Sequence, residues 1–288
     1  MSTPSPRRPD SYARPHGARR QGCTLITGAS SGFGTEWAWQ LAARGHDVVL
    51  VARRAERLSA LAHDLRQIAG VNAEVLVADL ATSAGRAAVV ARLTSSVERP
   101  IDLLVNNAGF GLGQPFVDGD LEREVQAVEV MIRAVLELSH AAAHAMIPRR
   151  RGAIVNVSSV AAYTAMGTYA SAKMWVRSFT EALAAELRGS GVSATAVSPG
   201  LMHTEFHGAA HMDDSAWPAI GWIDAEYVVT ETLRAVARGA THVTPTARYR
   251  LAQLALRLAP RPVISRLVGP SRWAPALRGE PAATRHAP

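Results

Sequence analysis

Tyr169 and Lys173 stand four residues apart in a stretch whose apolar spacing predicts a helix over 168–188, so their side chains share one face. A nearby ammonium favours the phenolate and lowers the tyrosine pKa from its reference of about 10. Tyr169 would then be able to exchange a proton with an alcohol or carbonyl oxygen. Eleven and ten residues before it, Ser158 and Ser159 follow the strand-like run 153–157. Strand alternation puts these two hydroxyls on opposite faces, so one of them can polarise an oxygen beside Tyr169. Tyr–Lys spacing is common on helix surfaces, and it gains meaning only beside a site for a redox partner.

That site is offered by Thr27-Gly28-Ala29-Ser30-Ser31-Gly32-Phe33-Gly34, which joins the run CTLIT (23–27) to a helical stretch. Glycines let the backbone turn sharply and approach a diphosphate, whose charge is stabilised by free N–H groups at the helix start. The second strand run ends in Arg53 and Arg54, with no carboxylate before Glu56. An acid at this place binds a ribose 2′-hydroxyl, whereas guanidinium forks suit a 2′-phosphate. Ser30 and Ser31 can add hydroxyl donors, and NADP(H) is the expected cofactor.

The elements that must position these groups are legible as an alternation. β-branched or apolar runs at 23–27, 47–51, 73–79, 101–106, 153–158 and 192–198, with a weaker one at 242–245, alternate with amphipathic stretches at 35–44, 55–69, 83–98, 120–147, 168–188 and 225–238. Repeated βα units predict an α/β fold: a single Rossmann-type, doubly wound, seven-stranded parallel sheet with helices on both faces. No internal repeat or linker interrupts residues 23–245.

Composition limits the alternatives. The chain has 288 residues, 48 % of them hydrophobic, and a net charge of +7. Residues 1–22 carry +4 and residues 245–288 carry +7, which leaves −4 for 23–244. The basic excess therefore sits at the ends, and the body lacks the one-signed face that nucleic acid requires. Residues 1–22 hold too few apolar side chains to order themselves and read as a basic tail. Their arginine pairs precede no apolar segment, so export is not expected. Cys23, the single cysteine, excludes an internal disulfide and cysteine-based metal ligation. No uninterrupted apolar run approaches the roughly 18 residues of a spanning helix. A cytoplasmic protein is expected. Residues 246–288 form a basic amphipathic extension that packs on the domain, on a partner subunit or, in a second reading, peripherally on a membrane.

Taken together, the chain resembles the short-chain dehydrogenase/reductase family. The resemblance rests on the TGxxxGxG loop at Thr27–Gly34, Asn106-Asn107-Ala108-Gly109, Ser159, the YxxxK pair Tyr169–Lys173, and Pro199-Gly200 with Thr204, in family order over 23–244. It implies that Gly28, Ser30, Ser31, Gly32, Phe33, Gly34, Arg53, Arg54, Asp79, Leu80, Asn107, Ala108 and Gly109 bind the cofactor, with Asp79 on the adenine amino group. It also implies that Ser159 rather than Ser158 faces the substrate, that Lys173 grips the nicotinamide ribose, that Thr204 beside Pro199 and Gly200 places the carboxamide, and that copies pair through the helices at 120–147 and 168–188 into a dimer or tetramer. The family's helix-bending asparagine, whose backbone carbonyl holds a water of the proton relay, is replaced by Met131, which could keep that backbone contact if the helix still bends; the resemblance implies loss of the side chain's help in forming the bend and an impaired or rewired relay. The Ser159–Tyr169 loop is also shorter than usual.

His203, His207 and His211 ahead of Asp213 and Asp214 have a spacing open to a metal. The family keeps a lid here, so Met202, Phe206, Met212, Trp217 and Trp222 are read as apolar pocket wall, with no metal, and Trp175 as core. The expected activity is an NADP(H)-dependent carbonyl reductase or alcohol dehydrogenase for hydrophobic ketones and secondary alcohols. The alternative is an NADP-binding sensor of little turnover.

Overall fold

The computed structural model describes residue 12, residues 21–95, 99–202 and 221–260, and residues 262 and 264. In chain order the elements begin β1 (Gly22–Thr27), α1 (Gly32–Ala43), β2 (His46–Ala52), α2 (Ala55–Ala69), β3 (Ala73–Val77), α3 (Ser83–Thr94) and β4 (Leu103–Asn106). A long rod follows: α4 (Leu121–Val128), a π-turn (Glu129–Arg133) and α5 (Ala134–Met146). Then come β5 (Gly152–Val157), α6 (Gly167–Glu186), β6 (Val192–Val197), β7 (Leu201–Met202), β8 (Trp222–Ile223), α7 (Ala225–Ala237), β9 (His242–Val243) and α8 (Ala247–Leu258). Seven strands form one parallel sheet in the order β3-β2-β1-β4-β5-β6-β9, and β7 pairs with β8 apart from it.

The two-residue period of the strands makes two cores. Ile26, Val48, Leu50, Val105 and Val155 face Trp37 and Leu41 of α1, Leu58 and Leu65 of α2, and Val228 of α7. Their neighbours Leu25, Val49, Leu104 and Ile154 face Val89 of α3 and Leu138, Ala142 and Met146 of α5. A one-residue slip in any strand would exchange the two faces, so the pattern also fixes the register. Strand order reverses between β1 and β4, and ligands of open α/β sheets bind outside the carboxyl ends of the strands at that point. Polar groups buried there are satisfied in a chain: Asn106 Nδ2 donates to Asn156 Oδ1 at 2.8 Å, and Asn156 Nδ2 donates to Thr180 Oγ1 at 3.0 Å.

Two features qualify the sequence reading. Leu121–Arg149 is long and apolar enough to cross a membrane by length and composition. Met131, Leu138, Ala142 and Met146 along it are fully buried, so this rod packs within the fold. In the segment expected to be a tail, Tyr12 stacks on Trp39 with ring centroids 5.4 Å apart and donates to both carboxylate oxygens of Glu36 at 3.0 Å. One aromatic anchor thus supplies burial that the surrounding composition does not. The remaining calls on residues 1–20 lie outside the described residues.

Candidate active site

A cavity of about 770 Å³ runs past the carboxyl ends of β1, β2, β4 and β5. It brings together every residue singled out for cofactor or chemistry except Thr204, which lies outside the described residues, as do His203, Phe206, His207, His211, Met212, Asp213, Asp214 and Trp217. Among the described residues no cluster of His, Cys, Asp or Glu could hold a metal.

At one end the glycine loop packs so closely that side chains do not fit. Gly28 has φ +69°, and a Cβ on it would stand 2.9 Å from Asn107 Nδ2; a Cβ on Gly34 would stand 2.1 Å from the Gly28 carbonyl oxygen. Thr27, which the sequence reading left without a role, is the clasp here. Its Oγ1 accepts from the backbone N–H groups of Asn107 and Ala108, both at 3.0 Å, and donates to the Val105 carbonyl at 3.3 Å. Asn107 Nδ2 returns a bond to the Thr27 carbonyl at 2.9 Å. Ser31 precedes α1 without capping it by its side chain, so the opening turn of the helix faces the cavity with no side-chain acceptor. Such a terminus fits a diphosphate. Next to it, Arg54 donates through Nε to Ser30 Oγ and through its guanidinium to the Ser30 carbonyl, each at 3.1 Å, with Arg53 on the same wall. Asp79 Oδ1 accepts from the Ala81 N–H at 3.0 Å, and buried Leu80 completes this corner.

At the other end three elements converge. Ser159, at the end of β5, accepts from the Ala161 N–H at 3.1 Å and shares a hydrogen bond with Tyr169 on α6. Ser158 turns the other way and donates to the Lys173 carbonyl at 2.7 Å. Lys173 is buried, with Nζ donating to the Val157 carbonyl at 2.8 Å and lying 5.7 Å from the centre of the Tyr169 ring. The expected acidification of the phenol is not found. Burial pushes Tyr169 up to about 12, against the pull of its Ser159 hydrogen bond, and pushes Lys173 down to about 8. Both groups are dehydrated in the same place, and removing water penalises the charged form of each.

At Met131, where the helix-bending asparagine is missing, the helix departs from α geometry. A π-turn interrupts the rod without an asparagine, with the Ala134 N–H reaching back to the Glu129 carbonyl. Met131 fills an apolar cluster with Leu112, Ala127 and Ala172. A Cβ on Gly109 would lie 3.5 Å from the Met131 Sδ and 3.4 Å from Lys173 Nζ, so Met131 and the lysine border the same glycine. The π-turn is held from outside by buried Arg86 of α3. This side chain pairs with Glu129 at 2.7 Å and Glu137 at 3.0 Å, and donates to the Leu80 and Ala81 carbonyls at 3.0 Å each. Arg86 thereby links the Asp79–Leu80 corner to the π-turn. Its only trace in the sequence is a charge among the alanines and valines of α3.

Helix α8, from the basic extension, forms part of the cavity wall with Tyr249, Ala252, Gln253 and Leu256. Tyr249 donates to the Gly221 carbonyl at 2.6 Å and accepts from the Leu201 N–H at 3.1 Å. Its ring occupies the space where a Cβ on Gly200 would sit. Gln253 accepts from Thr244 Oγ1 at 2.6 Å and donates to the Tyr163 hydroxyl. Met202 lines the cavity, whereas Trp222 lies in β8 opposite Leu201 and is not on the wall. Trp175, expected in the core, is half-buried and stacks on Phe179 at 4.8 Å, beside rather than on the buried stripe of α6 formed by Ala172 and Val176.

Sheet order, glycine loop and the Ser–Tyr–Lys convergence together define a Rossmann-type dehydrogenase. The comparisons agree: the short chain dehydrogenase family matches residues 22–214, and this chain belongs to that family. It is 38 % identical over 187 residues to a sulfoacetaldehyde reductase 2 of Chromohalobacter salexigens, covering 63 % of this chain and 73 % of that one. It is 33 % identical over 231 residues to a serine 3-dehydrogenase of Rhizobium radiobacter, covering 77 % and 90 %. Among solved structures, it is similar to a short-chain dehydrogenase from Sphingobium yanoikuyae in complex with NADPH (35 % identity, TM-score 0.75, covering 82 % of this chain and 94 % of that one). It is also similar to a bulky-bulky ketone specific alcohol dehydrogenase from Comamonas testosteroni (28 % identity, TM-score 0.72, 94 % and 100 %). The chain thus has the fold of an NAD(P)-dependent oxidoreductase acting on carbonyl or alcohol groups.

Proposed function

We propose that this protein is an NADP(H)-dependent carbonyl reductase or alcohol dehydrogenase for hydrophobic ketones and secondary alcohols. The observation that carries the reading is a single cavity lined at one end by the glycine loop with Ser30, Arg53 and Arg54, and at the other by Ser159, Tyr169 and Lys173. When bound, the nicotinamide cofactor supplies or accepts the hydride. The chain's own residues do the rest. Ser30, Arg53 and Arg54 hold the 2′-phosphate, the open start of α1 holds the diphosphate, and Asp79 faces the adenine. Asn107, Ala108 and Gly109 form the floor, Lys173 holds ribose hydroxyls, and Pro199, Gly200 and Thr204 place the carboxamide. Ser159 polarises the substrate oxygen, and Tyr169 exchanges its proton. A phenol whose pKa stands well above neutral is in its acid form at physiological pH, which suits donation to a nascent alkoxide. Phe110, Leu112, Phe116, Met166 and Met202 give the substrate end an apolar wall. The π-turn at Met131 supports turnover over sensing, since it can present a backbone carbonyl to the proton path without an asparagine. Exposed Leu121, Val125, Val128 and Leu136 form one stripe along α4 and α5 that supports pairing of two copies.

The test is NADPH consumption across a panel of ketones and aldehydes, with NADH in parallel. Turnover that favours NADPH and apolar ketones, and disappears in Tyr169→Phe, is the expected result. Tight NADPH binding with no turnover of any panel member would replace the enzyme by the sensor.

A further inference from the structure

We propose that α8 seats the protein on an anionic lipid surface through the face it turns away from the cavity. At 3.6 residues per turn, Tyr249, Gln253 and Leu256 share the inner side, and Leu251, Leu254 and Leu258 fall opposite them. These leucines are 68 %, 52 % and 77 % exposed, an unusual density of bare apolar surface for one short helix. Arg250 and Arg257 flank the stripe along one edge and Arg248 along the other, where their stems can lie along lipid while the guanidinium groups reach phosphate. The Arg248 guanidinium also donates to the Trp222 carbonyl at 2.7 Å, which fixes that edge to the body.

Charge chooses the occupant. Residues 247–258 contain no acid, and residues 245–288 hold eight arginines against Glu280 alone. A second copy docked face to face would set arginine edges against each other, a like-charge arrangement that opposes association. An anionic bilayer offers an apolar interior for the leucines and negative headgroups for both edges at once. The same helix then separates the cavity from the lipid.

The experiment uses the full chain with NADPH bound and sedimenting vesicles of phosphatidylcholine, alone or mixed equally with phosphatidylglycerol. Binding to the mixed vesicles is expected, at least about tenfold weaker on phosphatidylcholine alone and weakened by salt. The triple variant Leu251→Asp, Leu254→Asp, Leu258→Asp should partition at least about tenfold less while its NADPH fluorescence is unchanged, since the stripe lies outside the cavity. Should that variant fail to fold, Arg250→Glu replaces it, with a loss of roughly tenfold expected. Absence of binding to mixed vesicles would overturn the proposal. So would equal binding by the variants, which would assign the effect to charge elsewhere in the chain. Self-association dispersed by the aspartates, without vesicle binding, would also overturn it and make a second copy the occupant.

Discussion

At the glycine-loop end of the cavity the geometry is held largely by backbone. Gly28 and Gly34 meet main-chain atoms or Asn107 at distances no Cβ tolerates, and Thr27 stitches β1 to the residues after β4. At the tyrosine end, side chains arrive from β5, α6 and the π-turned rod, and their ionisation is set by how completely they are dehydrated. The first end is stiff and exposes its charged groups, so its variants should alter affinity. The second is buried and chemically poised, so its variants should alter rate and pH dependence.

The sharpest break in that contrast comes from Tyr169→Phe. It should lower turnover by about 10² to 10⁴-fold while NADPH binding, followed by fluorescence, stays as in the wild type. A fall in NADPH affinity of similar size would erase the distinction between the ends.

Next is a pH effect confined to the buried end. In the folded protein without cofactor Lys173 titrates near 8, against 10.5 unfolded. Between those values the unfolded chain binds the extra proton, so stability rises as pH climbs from 8 toward 10.5, by about 3 kcal/mol over the full window. Tyr169 has the opposite sign above pH 10, where the unfolded phenol ionises first and stability falls. Urea midpoints across this range should show the rise in the wild type and lose it in Lys173→Met. A parallel rise in the variant would assign the effect to other groups.

At the stiff end, Arg54→Ala should raise the KM for NADPH by about tenfold and leave kcat and the KM for NADH nearly unchanged, the loss of roughly one charge-assisted contact. An equal rise for both cofactors would mean that Arg54 only supports Ser30.

The smallest effect on rate is expected from Met131→Asn. Because the π-turn and Arg86 are already in place, kcat should stay close to wild type, while an amide placed in the apolar cluster lowers the unfolding free energy from urea titration by about 1–3 kcal/mol. A clear gain in kcat would show that the π-turn alone does not complete the proton path.

Much of the stiff end could be read directly from the chain. Glycines at fixed offsets after a β-branched run, then Arg53 and Arg54 after the next, are local patterns that need no partner to be recognised. The Tyr169–Lys173 face is local in the same way, being one turn of one helix. The roles of Thr27, Arg86, Tyr249 and Gln253 could not be read because each acts across distant segments: Thr27 reaches the residues after β4, Arg86 bridges α3 to the rod, and Tyr249 and Gln253 bring the basic extension onto the cavity. Trp175 was misplaced because an aromatic at helical spacing does not say whether its turn faces sheet or solvent.

The sequence by itself determined the alternation of strands and helices, the two-faced hydrophobic register and the identity of the groups gathered at the sheet edge, since these follow from periodicities of two and 3.6 residues and from the stereochemistry of glycine. Only the tertiary structure decided that Tyr169 is raised rather than lowered, that a π-turn falls at Met131 without an asparagine, and that α8 walls the cavity. Dehydration and long-range pairing depend on which distant segments are brought close, and no local pattern carries that information.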